Sequence, residues 1–144
     1  MEPKILALQK KLSQCTDYSE IFGHFMNAEI GLSDIKKYCT FSNDAYSRNI
    51  ICKNEDYELV AICWAAGQYS DRHHHGKSSC AMLVLAGELL ETTDVESKTE
   101  FTLIKTTILG NGSSIFLNNP MVWHQVRNNS NSQAISIHLY SPPL

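Results

Sequence analysis

A mainly β fold behind a helical N-terminal segment is what this sequence predicts, and three observations predict it. Residues 1–45 carry apolar side chains at near-helical spacing, whereas from Tyr46 onward short apolar segments alternate with polar or glycine-bearing breaks. Those segments follow one another without helical stretches between them, which argues for an antiparallel barrel or jelly roll and against alternating β-α units. The 144 residues suffice for one core and are few for two. A single domain over 1–144 is expected, with 1–45 as the helical segment and 46–144 as the barrel.

In chain order, Ile5, Leu6, Leu8 and Leu12 recur at near-helical spacing, with lysines on the other face. Residues 16–20 (Thr-Asp-Tyr-Ser-Glu) offer a helix cap and a following glutamate ahead of Ile21, Phe22 and Phe25. Residues 32–38 read as a third short helix. His24 lies within the apolar stretch and reads as a packing or surface residue. The strand candidates are 57–64, 81–90, 101–109, 113–117, 122–127 and 134–140, with turn chemistry at 53–56 and 110–112. The helical segment should pack outside the barrel.

Composition removes several function classes. A hydrophobic content of 43% and a charged content of 19% are those of a soluble globular protein. The net charge of -3 gives no basic footprint, so no nucleic acid partner is expected. No apolar run reaches the length of a membrane span and the start shows no signal-like apolar region, so no membrane partner and a cytoplasmic location are expected. The five cysteines are odd in number and form no CxxC pair, which reads as free thiols in a reducing compartment.

The chemistry concentrates in a few places. In Gly67-x5-His73-x-His75-x4-Cys80-x6-Gly87, strand alternation would put His73 and His75 on one face, where two imidazoles need a third ligand to clamp a metal ion. Three successive histidines also read as an incidental surface cluster, and imidazole alone does not choose between zinc, copper, iron and nickel. In the last strand Ser136, His138 and Tyr140 share a face opposite Ile137 and Leu139; each is both donor and acceptor, so they can form a relay. Ahead of the barrel, an extended backbone would bring Tyr46 and Arg48 together, the arginine offering a planar fork for a carboxylate.

The glycine-to-glycine stretch resembles the first cupin motif, with Cys80 where that motif has a glutamate. Residues 120–128 (Pro-Met-Val-Trp-His-Gln-Val-Arg-Asn) resemble the second, with His124 in its H-x3-N. Tyr46 and Arg48, Cys63-Trp64, His73 and His75, Cys80, His124 and the segment Ser136-Ile137-His138-Leu139-Tyr140-Ser141-Pro142-Pro143 together resemble cysteine dioxygenase, the thiol dioxygenase branch of the cupins. That resemblance implies a small, jelly-roll-like cupin β-barrel holding iron(II), Fe(2+), on His73, His75 and His124. It implies L-cysteine and O2 as partners, cysteine sulfinic acid as product, and a monomer.

By the same resemblance Arg48, helped by Tyr46, would pair with the substrate carboxylate. Tyr140, oriented by His138 and Ser136, would point its hydroxyl at substrate and oxygen. Three neutral ligands would leave the ion its full charge, which a substrate thiolate would compensate. For Cys80 two readings stand: a small buried residue, or a thioether to Tyr140 as in animal-type members. His74 stands where aspartate is usual, so which two of the three successive histidines ligate stays open. Members usually continue beyond the Ser-Pro-Pro segment, so an end at Leu144 leads one to expect a less covered cavity mouth. Two alternatives remain beside cysteine oxidation: a dioxygenase of another small thiol (3-mercaptopropionate or cysteamine), with Arg48 favouring an amino acid over the former, or a cupin that binds metal or thiol without turnover.

Overall fold

The computed structural model describes residues 2–15, 17–96, 101–117 and 122–144. Helix α1 (Pro3–Leu12) begins on a proline whose missing N–H costs nothing at that position, and Lys10 and Lys11 complement the dipole of its last turn. Its buried side chains are Ile5, Leu8 and Leu12, on one stripe; Leu6, read with them from the sequence, falls off the stripe and is 41% exposed. Helix α2 (Tyr18–Asn27) is capped by Asp17, whose carboxylate accepts from the Ser19 N–H at 2.8 Å. Thr16, part of the expected cap, lies outside the described residues. Helix α2 buries Ile21, Phe22 and Phe25, while His24 is half-buried and apart from the other histidines. A short helix α3 (Leu32–Ile35) runs into a 3-10 turn at Lys36–Tyr38.

Among the described residues eight strands follow: β1 (Ser47–Lys53), β2 (Glu58–Trp64), β3 (Ser79–Ala86), β4 (Leu89–Glu96), β5 (Phe101–Leu109), β6 (Ser114–Leu117), β7 (Val122–Arg127) and β8 (Ala134–Ser141). They pair antiparallel into a five-stranded sheet of order β1-β2-β8-β3-β6 and a three-stranded sheet of order β5-β4-β7. The architecture is that of a jelly-roll cupin, mainly β. Among the described residues the ladder does not close into a continuous barrel.

Strands β2, β3 and β8 are covered on both sides. Leu59, Ala61, Ala81, Ile137 and Leu139 face out and pack with Ile5, Leu8, Leu12, Ile21 and Phe25, so the helices lie on the outer face of the large sheet as expected. Val60, Ile62, Trp64, Cys80, Met82 and Tyr140 face in and meet Leu89, Leu109 and Val126 from β4, β5 and β7. Alternation therefore sorts each central strand into a structural face and an interior face.

Three expectations need correction. The apolar run 81–90 is not one strand: Gly87, at φ +74°, turns the chain between β3 and β4. The Tyr46-to-Asn49 segment does not precede the sheet but enters it, since β1 starts at Ser47. His73 and His75 do not lie on a regular strand; His73 makes an isolated bridge to His124 and His75 follows in irregular backbone. No helix among the described residues is long and apolar enough to cross a membrane.

Two glycines separate strain from propensity. A Cβ on Gly87 would meet the Gln133 carbonyl oxygen at 2.6 Å and the Ala134 Cβ at 2.9 Å, whereas one on Gly23, inside α2, would meet nothing within 4 Å. Urea unfolding should therefore show Gly87→Ala less stable by about 2 kcal/mol or more, from clash and left-handed backbone. Gly23→Ala should be more stable by up to about 1 kcal/mol, the gain in helix propensity.

Candidate active site

Residues 67–73 run beside β7 as an irregular extra strand. Ser70 N–H donates to the Val126 carbonyl at 2.8 Å, Asn128 N–H to the Gln68 carbonyl at 2.8 Å, and His73 and His124 exchange both backbone bonds, at 2.9 and 2.7 Å. Within that frame alternation holds locally. Arg72 and His74 turn to Trp123: the Arg72 guanidinium lies 4.4 Å from the indole centroid while it forks Asp94 of β4, and the His74 ring packs edge-on to the indole at 4.4 Å. His74 Nδ1 accepts from the Gly76 N–H at 3.0 Å. His73 and His75 turn the other way, inward. Of the three successive histidines, these two meet His124.

Their Nε2 atoms form a triangle: 3.2 Å between His73 and His75, 2.9 Å between His73 and His124, and 3.1 Å between His75 and His124. Two of the outer nitrogens are engaged. His73 Nδ1–H donates to the Asp71 carbonyl at 2.6 Å, and His124 Nδ1–H donates to the buried Glu91 carboxylate at 3.0 Å. With the proton on Nδ1, each Nε2 presents a lone pair to the centre. Burial, then the neighbouring imidazoles, pushes His75 down to about 3, and burial lowers His73 as well. His73 and His75 are thus neutral near pH 7, the state in which imidazole ligates. A point about 2 Å from all three nitrogens exists off the plane of the triangle, the distance an imidazole–metal bond requires. Three imidazole nitrogens converging within 3.2 Å of one another make a donor set that fits a metal ion with one hemisphere open. Asp94 and Trp123 anchor the loop, and the remaining part of the expected second motif, Pro120 and Met121, lies outside the described residues.

The open hemisphere faces a cavity of about 330 Å³ lined by Tyr46, Arg48, Ile62, Trp64, His138 and Tyr140 among others. Tyr46 stacks on Trp64, ring centroids 4.7 Å apart, and the Tyr140 ring lies edge-on to His75 at 5.4 Å. A larger groove of about 780 Å³ between α2, β3 and β6 contains no convergent polar set and is remote from the histidines.

Ser136, His138 and Tyr140 form a connected line, as their alternation implied. Ser136 Oγ and His138 Nε2 are 2.7 Å apart, and His138 Nδ1 and the Tyr140 hydroxyl are 3.2 Å apart. The sequence reading gave Trp64 no role, yet its indole N–H donates to Ser136 Oγ at 3.0 Å. An indole N–H only donates, so Ser136 accepts there and keeps a second lone pair and its own proton for His138 Nε2. Two tautomers of His138 satisfy this line: one donates Nδ1–H to the Tyr140 oxygen, the other accepts the phenolic proton at Nδ1. Burial drives His138 well below the ordinary imidazole range and raises Tyr140 well above the ordinary phenol range, so both are neutral. Cys80, its thiol raised by burial, is the direct cross-strand partner of Tyr140 in the β3–β8 ladder.

Arg48 occupies the end of the cavity near Tyr140, its Cζ 5.7 Å from that ring centroid. It is not a lone cation. Its Nη2 donates to Oε1 of Glu58, a buried residue of β2, at 3.0 Å. The sequence reading passed over Glu58 and Glu91; the available signal was a carboxylate at an inward position, next in alternation to Val60, Ile62 and Trp64 in the first case.

Solved structures share the fold at low identity: TT1209 from Thermus thermophilus is one (TM-score 0.64, 20% identity, 80% of this chain and 100% of that one). A protein with a double-stranded β-helix domain from Klebsiella pneumoniae is another (TM-score 0.61, 19% identity, 75% and 86%). At these identities the likeness speaks for the fold alone. Cysteine dioxygenase type 1 of Rattus norvegicus is 34% identical over 111 residues, covering 74% of this chain and 56% of the relative. That of Danio rerio is 31% identical over 116 residues, covering 76% and 58%. The chain thus spans a little over half the length of these relatives. The family model for cysteine dioxygenase type I matches residues 11–144, nearly the whole sequence, and the chain belongs to that family.

Proposed function

We propose that the chain is a one-domain, iron(II)- and O2-dependent thiol dioxygenase that converts L-cysteine to 3-sulfinoalanine. The observation that carries this reading is the meeting of three imidazole Nε2 atoms, a tyrosine relay and an arginine in one small cavity. His73, His75 and His124 would hold the iron, with Asp71 and Glu91 fixing two of the rings. Iron(II) bound there would supply the redox chemistry by which O2 adds both atoms to a thiolate, the sulfur giving up four electrons and O2 accepting them. The remaining work belongs to the chain. A free face of the Arg48 fork receives the substrate carboxylate, beside the Tyr46 hydroxyl, and sets the direction in which the thiol enters. The Tyr140 O–H, positioned by the Trp64–Ser136–His138 line, holds a proton at the reacting end of the cavity. A volume of about 330 Å³ suits a small thiol and limits bulk water.

The ladder position of Cys80 supports a thioether to Tyr140. Such a bond forms with loss of one hydrogen from the thiol and one from the ring, O2 taking the two electrons. It would lock the ring that carries the relay's terminal hydroxyl.

The test is to load iron(II) anaerobically, then admit O2 with L-cysteine or 3-mercaptopropionate, following O2 uptake and product mass. Sulfinate from L-cysteine in excess over the other thiol is expected. Iron bound with no O2 uptake on any thiol would overturn the dioxygenase reading in favour of a binding cupin. Tyr140→Phe should retain iron and lose about 10²-fold in kcat, the usual size of a proton-handling contribution. Metal-free protein should lose stability on acidification: His73, His75 and His138 are all lowered by burial, so the unfolded chain binds more protons below about pH 6.5. Stabilisation present above that pH should decline as the pH falls toward the folded-state values, and a melting series from pH 7.5 to 5 reads it.

A further inference from the structure

The cavity's cation is already paired. Glu58 opens β2 and, by the alternation that turns Val60, Ile62 and Trp64 inward, its carboxylate enters the interior beneath Arg48. Its side chain is 2% exposed against 35% for Arg48. Oε1 accepts from Arg48 Nη2 at 3.0 Å; Oε2 accepts from the Leu144 N–H at 3.2 Å and lies 3.9 Å from Lys53 Nζ. In the ladders Glu58 stands opposite Lys53 on one side and Tyr140 on the other.

A buried ion pair is a poor stability device, since desolvating two charges offsets most of their attraction. Its effect on recognition is more definite. Nη2 carries two protons, one beside Nε and one beside Nη1, so it belongs to both two-point docking faces of a guanidinium. Glu58 engages Nη2, takes one of those faces, and sets a negative charge beside whatever carboxylate uses the other.

We propose that Glu58 is a specificity-determining residue that holds down the affinity of this cavity for substrate carboxylates by competing for Arg48. The inference rests on the reading of Arg48 as the carboxylate receiver. In this arrangement an incoming carboxylate shares Arg48 with an internal one, so thiols that depend on a carboxylate for binding are penalised relative to those that do not. Free Arg48 would bind a mercaptocarboxylate more tightly than this protein does.

The test is anaerobic calorimetry on the iron(II)-loaded protein and on Glu58→Gln, with 3-mercaptopropionate (carboxylate, no amine) and cysteamine (amine, no carboxylate). In Glu58→Gln the Kd of 3-mercaptopropionate should fall on the order of tenfold while that of cysteamine does not fall. The gain should vanish when both proteins carry Arg48→Gln. An unchanged or higher Kd for 3-mercaptopropionate, an equal fall for cysteamine, a gain that survives in the Arg48→Gln background, or no binding of the carboxylate to either protein would each overturn the proposal. If Glu58→Gln does not fold, Glu58→Asp, which draws the carboxylate back by one methylene, should move the Kd the same way by less. Admitting O2 afterwards scores the dioxygenase reading separately, because the binding contrast stands whether or not turnover follows.

Discussion

Everything at the centre depends on one reciprocal backbone pair. His73 and His124 each donate an N–H to the other's carbonyl, and this exchange ties an irregular loop to the edge of β7. It brings together two segments separated by about fifty residues of sequence and fixes their rotation, so three imidazoles point at one place. The side chains that would pull the loop the other way are themselves occupied: Arg72 and His74 pack on Trp123, with Asp94 forked by the arginine. Without that pairing the histidines would be three unrelated surface groups. With it they are preoriented donors.

A second layer of constraint sets protons rather than positions. Trp64 can only donate, so it sets Ser136 as the acceptor at one end of the line that runs through His138 to Tyr140. Glu91 sets Nδ1 of His124 as a donor, and the Asp71 carbonyl does so for His73. Fixed partners thus choose the tautomers of His73 and His124, and among the described residues no buried side-chain nitrogen or oxygen is left unsatisfied.

Much of this was legible in the sequence because it is local. The two-residue alternation in Ser136-Ile137-His138-Leu139-Tyr140 names the interior face without knowledge of the partner strands, and the strand β7 coincides with the apolar segment read at 122–127. The spacing of His73 and His75 implied a shared face, although the backbone there is a bridged loop and not a strand. What stayed hidden is non-local. Trp64 meets Ser136, Glu91 meets His124 and Glu58 meets Arg48 only once the ladders are in register, and a charged side chain in an apolar run carries no mark of its partner. The break at Gly87 was missed for a different reason: apolar stretches flank Gly87-Glu88 on both sides, and the close passage of residues 133–134 that excludes a Cβ there is non-local.

Strand β8 serves two clients at once, since its outward residues Ile137 and Leu139 belong to the helix-facing core and its inward residues to the relay. A slip of one residue would put isoleucine and leucine into the cavity and bury a serine, a histidine and a tyrosine among the helices. Such a chain would be poorly packed and inert together. The helical layer, which touches none of the reacting groups, thereby acts as a proofreader of the strand that carries them: a molecule whose helices have docked properly is one whose relay is in frame. Functional heterogeneity among folded molecules is suppressed by the same contacts that stabilise them.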